Sequence, residues 1–156
     1  MEIERKFLIT HCPLDLSLYS YLKIQQAYLC TEPVIRIRRQ DNTYMLTYKS
    51  KGMLIREEHN LPLTKEAYEH LRQKADGILL SKTRYIIPTE YNLKIELDIF
   101  DAPYENLQIA EVEFPTKESA DHFTPLFWFG EEVTFSANYQ NSTLSKGLQV
   151  RPFPEL

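Results

Sequence analysis

Charged residues of like sign recur two positions apart along this chain. Glu2 and Glu4 stand together at the start, with Lys6 next in step. Arg36 and Arg38 form a second pair, Lys82 and Arg84 a third, Glu111 and Glu113 a fourth. Lys94, Glu96 and Asp98 follow the same spacing, as do Arg56 and Glu58. On an extended strand, side chains two apart project to one side. Like charges so placed repel, and a strand that merely faces water has no reason to concentrate them. A site for a metal-bound polyanion has one. Carboxylates take hard divalent cations, and Mg²⁺ commonly uses one or two of them together with phosphate oxygens and water. Arginine and lysine hold the remaining phosphate charge.

The elements that must carry these pairs are strands. The residues between the charges are largely Ile, Leu, Val, Phe and Tyr, and period-two alternation governs the chain. Strands are expected over 1–9, 23–29, 34–39, 43–49, 55–61, 80–87, 92–100 and 107–114. A short helix or turn is expected over 13–22 and short helices over 116–123 and 141–146. A longer helix is expected over 65–76, capped by Thr64 and stopped by Gly77. Two arrangements fit such strands. One is an antiparallel sheet with a wet face and a core face. The other is a sheet closed on itself, with the charges inside and helices over the apolar outside.

Composition narrows the class. The 156 residues make about one domain, expected over 1–150 with a flexible proline-rich tail at 151–156. The four glycines, Gly52, Gly77, Gly130 and Gly147, lie too far apart for a dinucleotide-binding or Walker A loop. A net charge of −4 argues against a broad nucleic-acid surface. No apolar run is long enough to span a membrane, and the first residues do not read as a secretory signal. Cys12 and Cys30 lack disulfide-framework or metal-site spacing, so reduced thiols and a cytoplasmic setting are expected. His11, His59, His70 and His122 are scattered and read as solvated. Arg5 falls on the opposite parity to Glu4 and Lys6 and reads as a surface or helix-contacting charge. Trp128 reads as core.

The charged pairs, in order, resemble a known family. Glu2-Ile3-Glu4-Arg5-Lys6 is similar to the E-x-E-x-K opening of the CYTH domain, or triphosphate tunnel metalloenzymes. Gln26-Ala27-Tyr28-Leu29 resembles the family's second strand, Ile35-Arg36-Ile37-Arg38 its R-x-R strand and Leu46-Thr47-Tyr48-Lys49 its T-x-K strand. Arg56-Glu57-Glu58 resembles R-x-E, Lys82-Thr83-Arg84 K-x-R, Glu96-Leu97-Asp98 E-x-D, and Ala110-Glu111-Val112-Glu113 A-E-x-E. Val133-Thr134 and Tyr139-Gln140-Asn141-Ser142 resemble the closing segment. His59 and Asn60 stand where family members often continue with glutamate.

The resemblance implies a mainly antiparallel α+β fold, an eight-stranded closed tunnel with a charged interior and a few helices outside. It implies Mg²⁺- or Mn²⁺-dependent hydrolysis of a small triphosphate, most like the bacterial inorganic triphosphatases. Lys6, Arg36, Arg38, Lys49, Arg56, Lys82 and Arg84 would bind substrate. Glu2, Glu4, Glu96, Asp98, Glu111 and Glu113 would hold metal, and Glu4, Lys6, Arg38 and Glu58 would be catalytic. Thiamine triphosphatase, adenylyl cyclase and binding without turnover are the alternatives, and no adenine or thiamine pocket can be pointed to in the sequence.

Overall fold

The protein is described by a computed structural model over residues 1–147. The expected domain end at 150 and the tail at 151–156 lie outside the described residues. The alternating segments become strands β1 (Glu2–Leu8), β2 (Ser20–Thr31), β3 (Val34–Gln40), β4 (Thr43–Lys49), β5 (Ile55–Arg56), β6 (Glu58–Pro62), β7 (Asp76–Pro88), β8 (Lys94–Phe100) and β9 (Gln108–Glu113). They form one sheet in the order β5-β1-β9-β8-β7-β2-β3-β4-β6. All its neighbouring pairs are antiparallel.

The two outermost strands, β5 and β6, are consecutive in the chain and separated only by Glu57. One stretch of chain therefore pairs with β1 at Glu2–Arg56 and Ile3–Ile55, and with β4 from Lys49–Glu58 to Met45–Pro62. The sheet returns on itself as a nearly closed barrel. It has the eight walls expected of the tunnel, the last of them broken into two short strands. The break at Glu57 is held by Ser50, whose backbone N–H donates to the Glu57 carbonyl and whose Oγ accepts from the Glu57 N–H.

Closure also decides which face is inside. The apolar residues of β1, β7, β8 and β9, among them Ile3, Ile87, Ile95, Leu97, Ala110 and Val112, point outward and are buried. Helix α2 (Lys117–His122) and the segments around Leu14–Tyr19 and Phe123–Phe129 cover them, including half-buried Trp128. Ala27 and Ile37 of β2 and β3 lie under helix α1 (Lys65–Arg72) through the fully buried Tyr68. At the end where β1 and β8 finish and β9 begins, Leu8, Phe100 and Ile109 pack against Val133, Tyr139 and Leu144. The last of these belongs to helix α3 (Asn141–Leu144). That end of the barrel is thus covered by the C-terminal part of the described chain.

Two local expectations are corrected. Residues 13–22 form only a 3₁₀ turn, Leu16–Leu18, capped by Asp15, and β2 already begins at Ser20. Helix α1 starts at the expected Thr64 cap, whose Oγ1 accepts from the Ala67 N–H, but it stops at Arg72. Asp76 and Gly77 belong to β7 instead. Gly77 has φ of +70°, and a Cβ there would overlap the carbonyl oxygen of Ser145. Its glycine serves close approach of the C-terminal segment, sealed by the Ile78 N–H donating to the same carbonyl at 2.6 Å. A local helix-stop signal and a long-range packing requirement look alike in sequence.

Candidate active site

The inward faces enclose a cavity of about 260 Å³. Twelve of the expected site residues line it: Glu2, Glu4, Lys6, Arg36, Arg38, Lys49, Arg56, Glu58, Arg84, Glu96, Glu111 and Glu113. Strand register brings them there from separate parts of the sequence. Glu4 lies opposite Glu113, Lys6 opposite Glu111, and Glu96 opposite Glu111. Arg36 and Arg38 come from β3 on the far side of the sheet order.

Lys82 and Asp98 are not among the lining residues. Both are almost fully buried, and Lys82 Nζ lies 2.7 Å from Asp98 Oδ2. Asp98 also receives Arg84 Nε at 2.7 Å and Nη2 at 2.9 Å. They form a charged layer behind the cavity wall that fixes the Arg84 guanidinium. Burial pushes the Asp98 carboxyl up, but Arg84 and Lys82 outweigh it and hold it below its ordinary range.

Most carboxylates in the cavity are already paired. Lys49 Nζ donates to both Glu2 oxygens at 3.0 Å and lies 3.3 Å from Glu58. Arg56 lies 3.5 Å from Glu2 and 3.9 Å from Glu4. Lys6 lies 3.5 Å from Glu4 and 3.8 Å from Glu111, while Arg84 lies 3.1 Å from Glu96 and 3.5 Å from Glu111. Burial would raise Glu111, yet Lys6 and Arg84 hold it far below the carboxylate range. Burial pushes Glu2 up to about 8, helped by its hydrogen bond to Glu58 and by the Glu4 charge. Glu58 is held low in turn, by that same hydrogen bond and by Lys49. Glu113 is raised by burial and by the like charges of Glu4, Glu96 and Glu58.

Two cations differ from the rest. Arg36 and Arg38 make no ion pair among the described residues. Arg36 Nη2 reaches only the Thr47 hydroxyl, at 3.2 Å, and its buried Nε has no hydrogen-bond partner. Arg38 donates Nε and Nη2 to the single oxygen Gln26 Oε1, at 2.9 and 2.6 Å. Burial, with Arg36 and Arg84 close by, pushes Arg38 down to about 9. No carboxylate among the described residues forms an ion pair with either of them.

Further residues, given no ligand or catalytic role by the sequence, complete the wall. Asn60 joins the wall through Thr47 Oγ1, which donates to its Oδ1 at 2.6 Å, while its Nδ2 donates to Glu58 at 2.8 Å. Where family members often carry glutamate, this chain has a neutral residue that orients Glu58. Gln140, Asn141 and Ser142 line the cavity as well, together with Tyr28, Gln40 and Lys94. The closing Tyr139-Gln140-Asn141-Ser142 segment was visible in sequence, but no periodicity points it inward. Arg5, by contrast, faces outward. It pairs with Glu132 at 2.7 Å and donates to the carbonyls of Ala120 and Phe123 at the end of α2. The four histidines are exposed.

The CYTH domain model matches residues 1–147. The chain belongs to the CYTH domain family. It is 37% identical over 147 residues to an inorganic triphosphatase of Nitrosomonas europaea, covering 92% of this chain and 96% of that protein. The crystal structure of an inorganic triphosphatase superposes with a TM-score of 0.71 at 32% identity, covering 95% of this CYTH chain and 96% of the other. A Hippeastrum protein with a dominant triphosphatase activity matches with a TM-score of 0.57 at 15% identity over 78% of this chain and 83% of the other. At that identity it shows the shared fold alone.

Proposed function

We propose that this CYTH protein hydrolyses linear inorganic triphosphate to pyrophosphate and phosphate inside the barrel. The observation that carries the reading is the pair Arg36 and Arg38, buried or half-buried on the cavity wall with no carboxylate to neutralise them. The likeness to the inorganic triphosphatases over nearly the whole chain supports it.

The donor set fits a divalent cation. Seven cations and six carboxylates line the cavity, so the wall alone is close to balanced. A triphosphate brings several negative charges that this balance cannot absorb. Among the described residues no three ligating side chains converge as a ready-made metal cage. Mg²⁺ needs none, because phosphate and water supply most of its ligands. Glu4, Glu113, Glu96, Glu2 and Glu111 are the carboxylates placed to hold Mg²⁺ or Mn²⁺, and Asp98 supports them from behind through Arg84. The ion would supply charge neutralisation and a more acidic bound water.

The chain's own groups then do the rest. Arg36, Arg38 and Lys6 hold the phosphoryl oxygens, with Lys49, Arg56 and Arg84 freed for the same task as carboxylates turn to metal. Positioning and charge stabilisation are the main contributions a protein makes to phosphoryl transfer. A water oxygen attacks the terminal phosphorus, and the bridging P–O bond breaks with its electron pair on pyrophosphate. Glu4 and Glu58 are the carboxylates at hand to take the water proton, Glu58 being held ionised by Lys49 and oriented by Asn60. Lys6 and Arg38 meet the charge that grows on the transferred group. A cytoplasmic setting belongs to this reading and agrees with the two unpaired cysteines. No helix among the described residues is long and apolar enough to cross a membrane.

The test is phosphate release from tripolyphosphate, ATP and thiamine triphosphate with Mg²⁺ and with Mn²⁺. Preference for tripolyphosphate supports the reading, with Glu4→Gln binding substrate but not turning it over. Cyclic AMP formation from ATP replaces it with a cyclase. Tight binding without release by any metal replaces it with a sensor or scaffold.

A further inference from the structure

The covered end of the barrel is closed toward the cavity by neutral side chains. Gln140, Asn141 and Ser142 line it there, on the segment whose Tyr139 and Leu144 pack over Leu8, Phe100 and Ile109. Lys82 Nζ donates to Asn141 Oδ1 at 3.2 Å, between Asp98 at 2.7 Å and the face of Phe100, 5.3 Å from the ring centroid. An ammonium can only donate, so Oδ1 must be the atom turned to the barrel wall. The amide NH₂ is thereby left on the other branch of the same planar group. It makes no hydrogen bond among the described residues, and it belongs to a side chain that lines the cavity. We propose that Asn141 is a substrate-binding residue, its Nδ2 donating to a phosphate oxygen at the covered end of the tunnel, with its orientation fixed by Lys82.

Lys82, on this account, works through Asn141 and Asp98 and does not itself touch substrate. The proposal rests on the triphosphate reading above. A neutral donor suits this end of the chain. Arg36, Arg38 and Arg84 already crowd the cavity with positive charge, and another cation would add to the repulsion felt by Arg38. A hydrogen bond to a charged acceptor is also among the stronger ones, and a site built around a donor discriminates sharply when its partner is lost.

The experiment uses two variants in the full chain, with steady-state kinetics on tripolyphosphate and thermal unfolding without ligand. Asn141→Asp keeps an oxygen for Lys82 and strengthens that contact by adding charge, but it replaces the donor with an acceptor. Asn141→Leu is neutral and loses both contacts. The expected result is a KM raised roughly ten- to hundredfold in both, with a smaller change in kcat, while Asn141→Asp unfolds at or above the wild-type temperature. Asn141→Asp also brings a negative charge to an anion site, so the neutral variant decides: if Asn141 only fastens the C-terminal segment, Asn141→Leu will match wild type in KM at temperatures well below its own melting, and that result overturns the inference. A wild type that releases no phosphate at all indicts the triphosphatase reading instead. In that case, tripolyphosphate binding by isothermal calorimetry compares the same variants, and equal affinities of wild type and Asn141→Leu overturn the inference.

Discussion

Arg38 and Arg84 line the same cavity, yet removing them should have opposite consequences. Arg84 is 7% exposed and holds Asp98 through two bonds of 2.7 and 2.9 Å, with Glu96 and Glu111 at 3.1 and 3.5 Å. Arg84→Met leaves these carboxylates short of a cation in a closed interior. Breaking a buried pair by removing one partner costs about 3–5 kcal/mol. At roughly 2–4 °C per kcal/mol for a chain of this size, the ligand-free Tm should fall by about 6–20 °C. Arg38 neutralises no carboxylate. Arg38→Met orphans Gln26 Oε1, a cost of about 1–3 kcal/mol, but it relieves the repulsion from Arg36 and Arg84. These terms oppose, and the net change should stay within about 1 kcal/mol. The order reverses when ligand is added. A ligand at a hundred times its Kd stabilises by about 2.7 kcal/mol, and Arg38→Met should lose most of that gain. Differential scanning fluorimetry with and without tripolyphosphate and Mg²⁺ reads both quantities. The reasoning is wrong if Arg38→Met unfolds as early as Arg84→Met, or if it keeps the full ligand-induced shift.

Other groups of the chain carry expectations of their own. Glu2 holds a proton up to about pH 8 in the fold, while an unfolded chain releases it near 4.5. The folded state therefore binds more protons between those values, and metal-free stability should fall as pH rises through that window, by on the order of 2–4 kcal/mol. Glu2→Gln should flatten that slope in urea titrations at pH 5 and 8.5. Glu111, held low, contributes the opposite sign, with stability lost as pH drops below the usual carboxylate range. Because metal must displace the Glu2 proton, hydrolysis should speed up from pH 6 toward 9 at subsaturating Mg²⁺. Tyr68 is fully buried, and its hydroxyl has no hydrogen-bond partner among the described residues. Tyr68→Phe should be neutral or stabilising by up to about 1 kcal/mol in urea unfolding, with activity unchanged. Gly77→Ala must place a Cβ against the Ser145 carbonyl at φ of +70°. It should cost more than about 2 kcal/mol and raise KM by loosening the Gln140–Ser142 wall, as kinetics and melting together would show.

Period-two spacing by itself placed Glu2 with Glu4, Arg36 with Arg38 and Glu111 with Glu113, because strand geometry sends alternate side chains one way whatever the partner strand is. The apolar faces of β1, β8 and β9 were legible for the same reason, as was the outward turn of Arg5. Tertiary structure decided what local geometry cannot carry. Closure of the sheet depends on Arg56 and Glu58 reaching strands on opposite sides of one break, and that closure turned a charged face into an interior. Register and depth set Lys82 and Asp98 behind the wall although their parity matches residues that line it. Asn60 and Asn141 entered the site through hydrogen bonds to Thr47 and Lys82, partners 13 and 59 positions away. Gly77 stands where it does because Ser145 packs against it. A pattern along the chain fixes direction, whereas enclosure and pairing are properties of segments that meet only after folding.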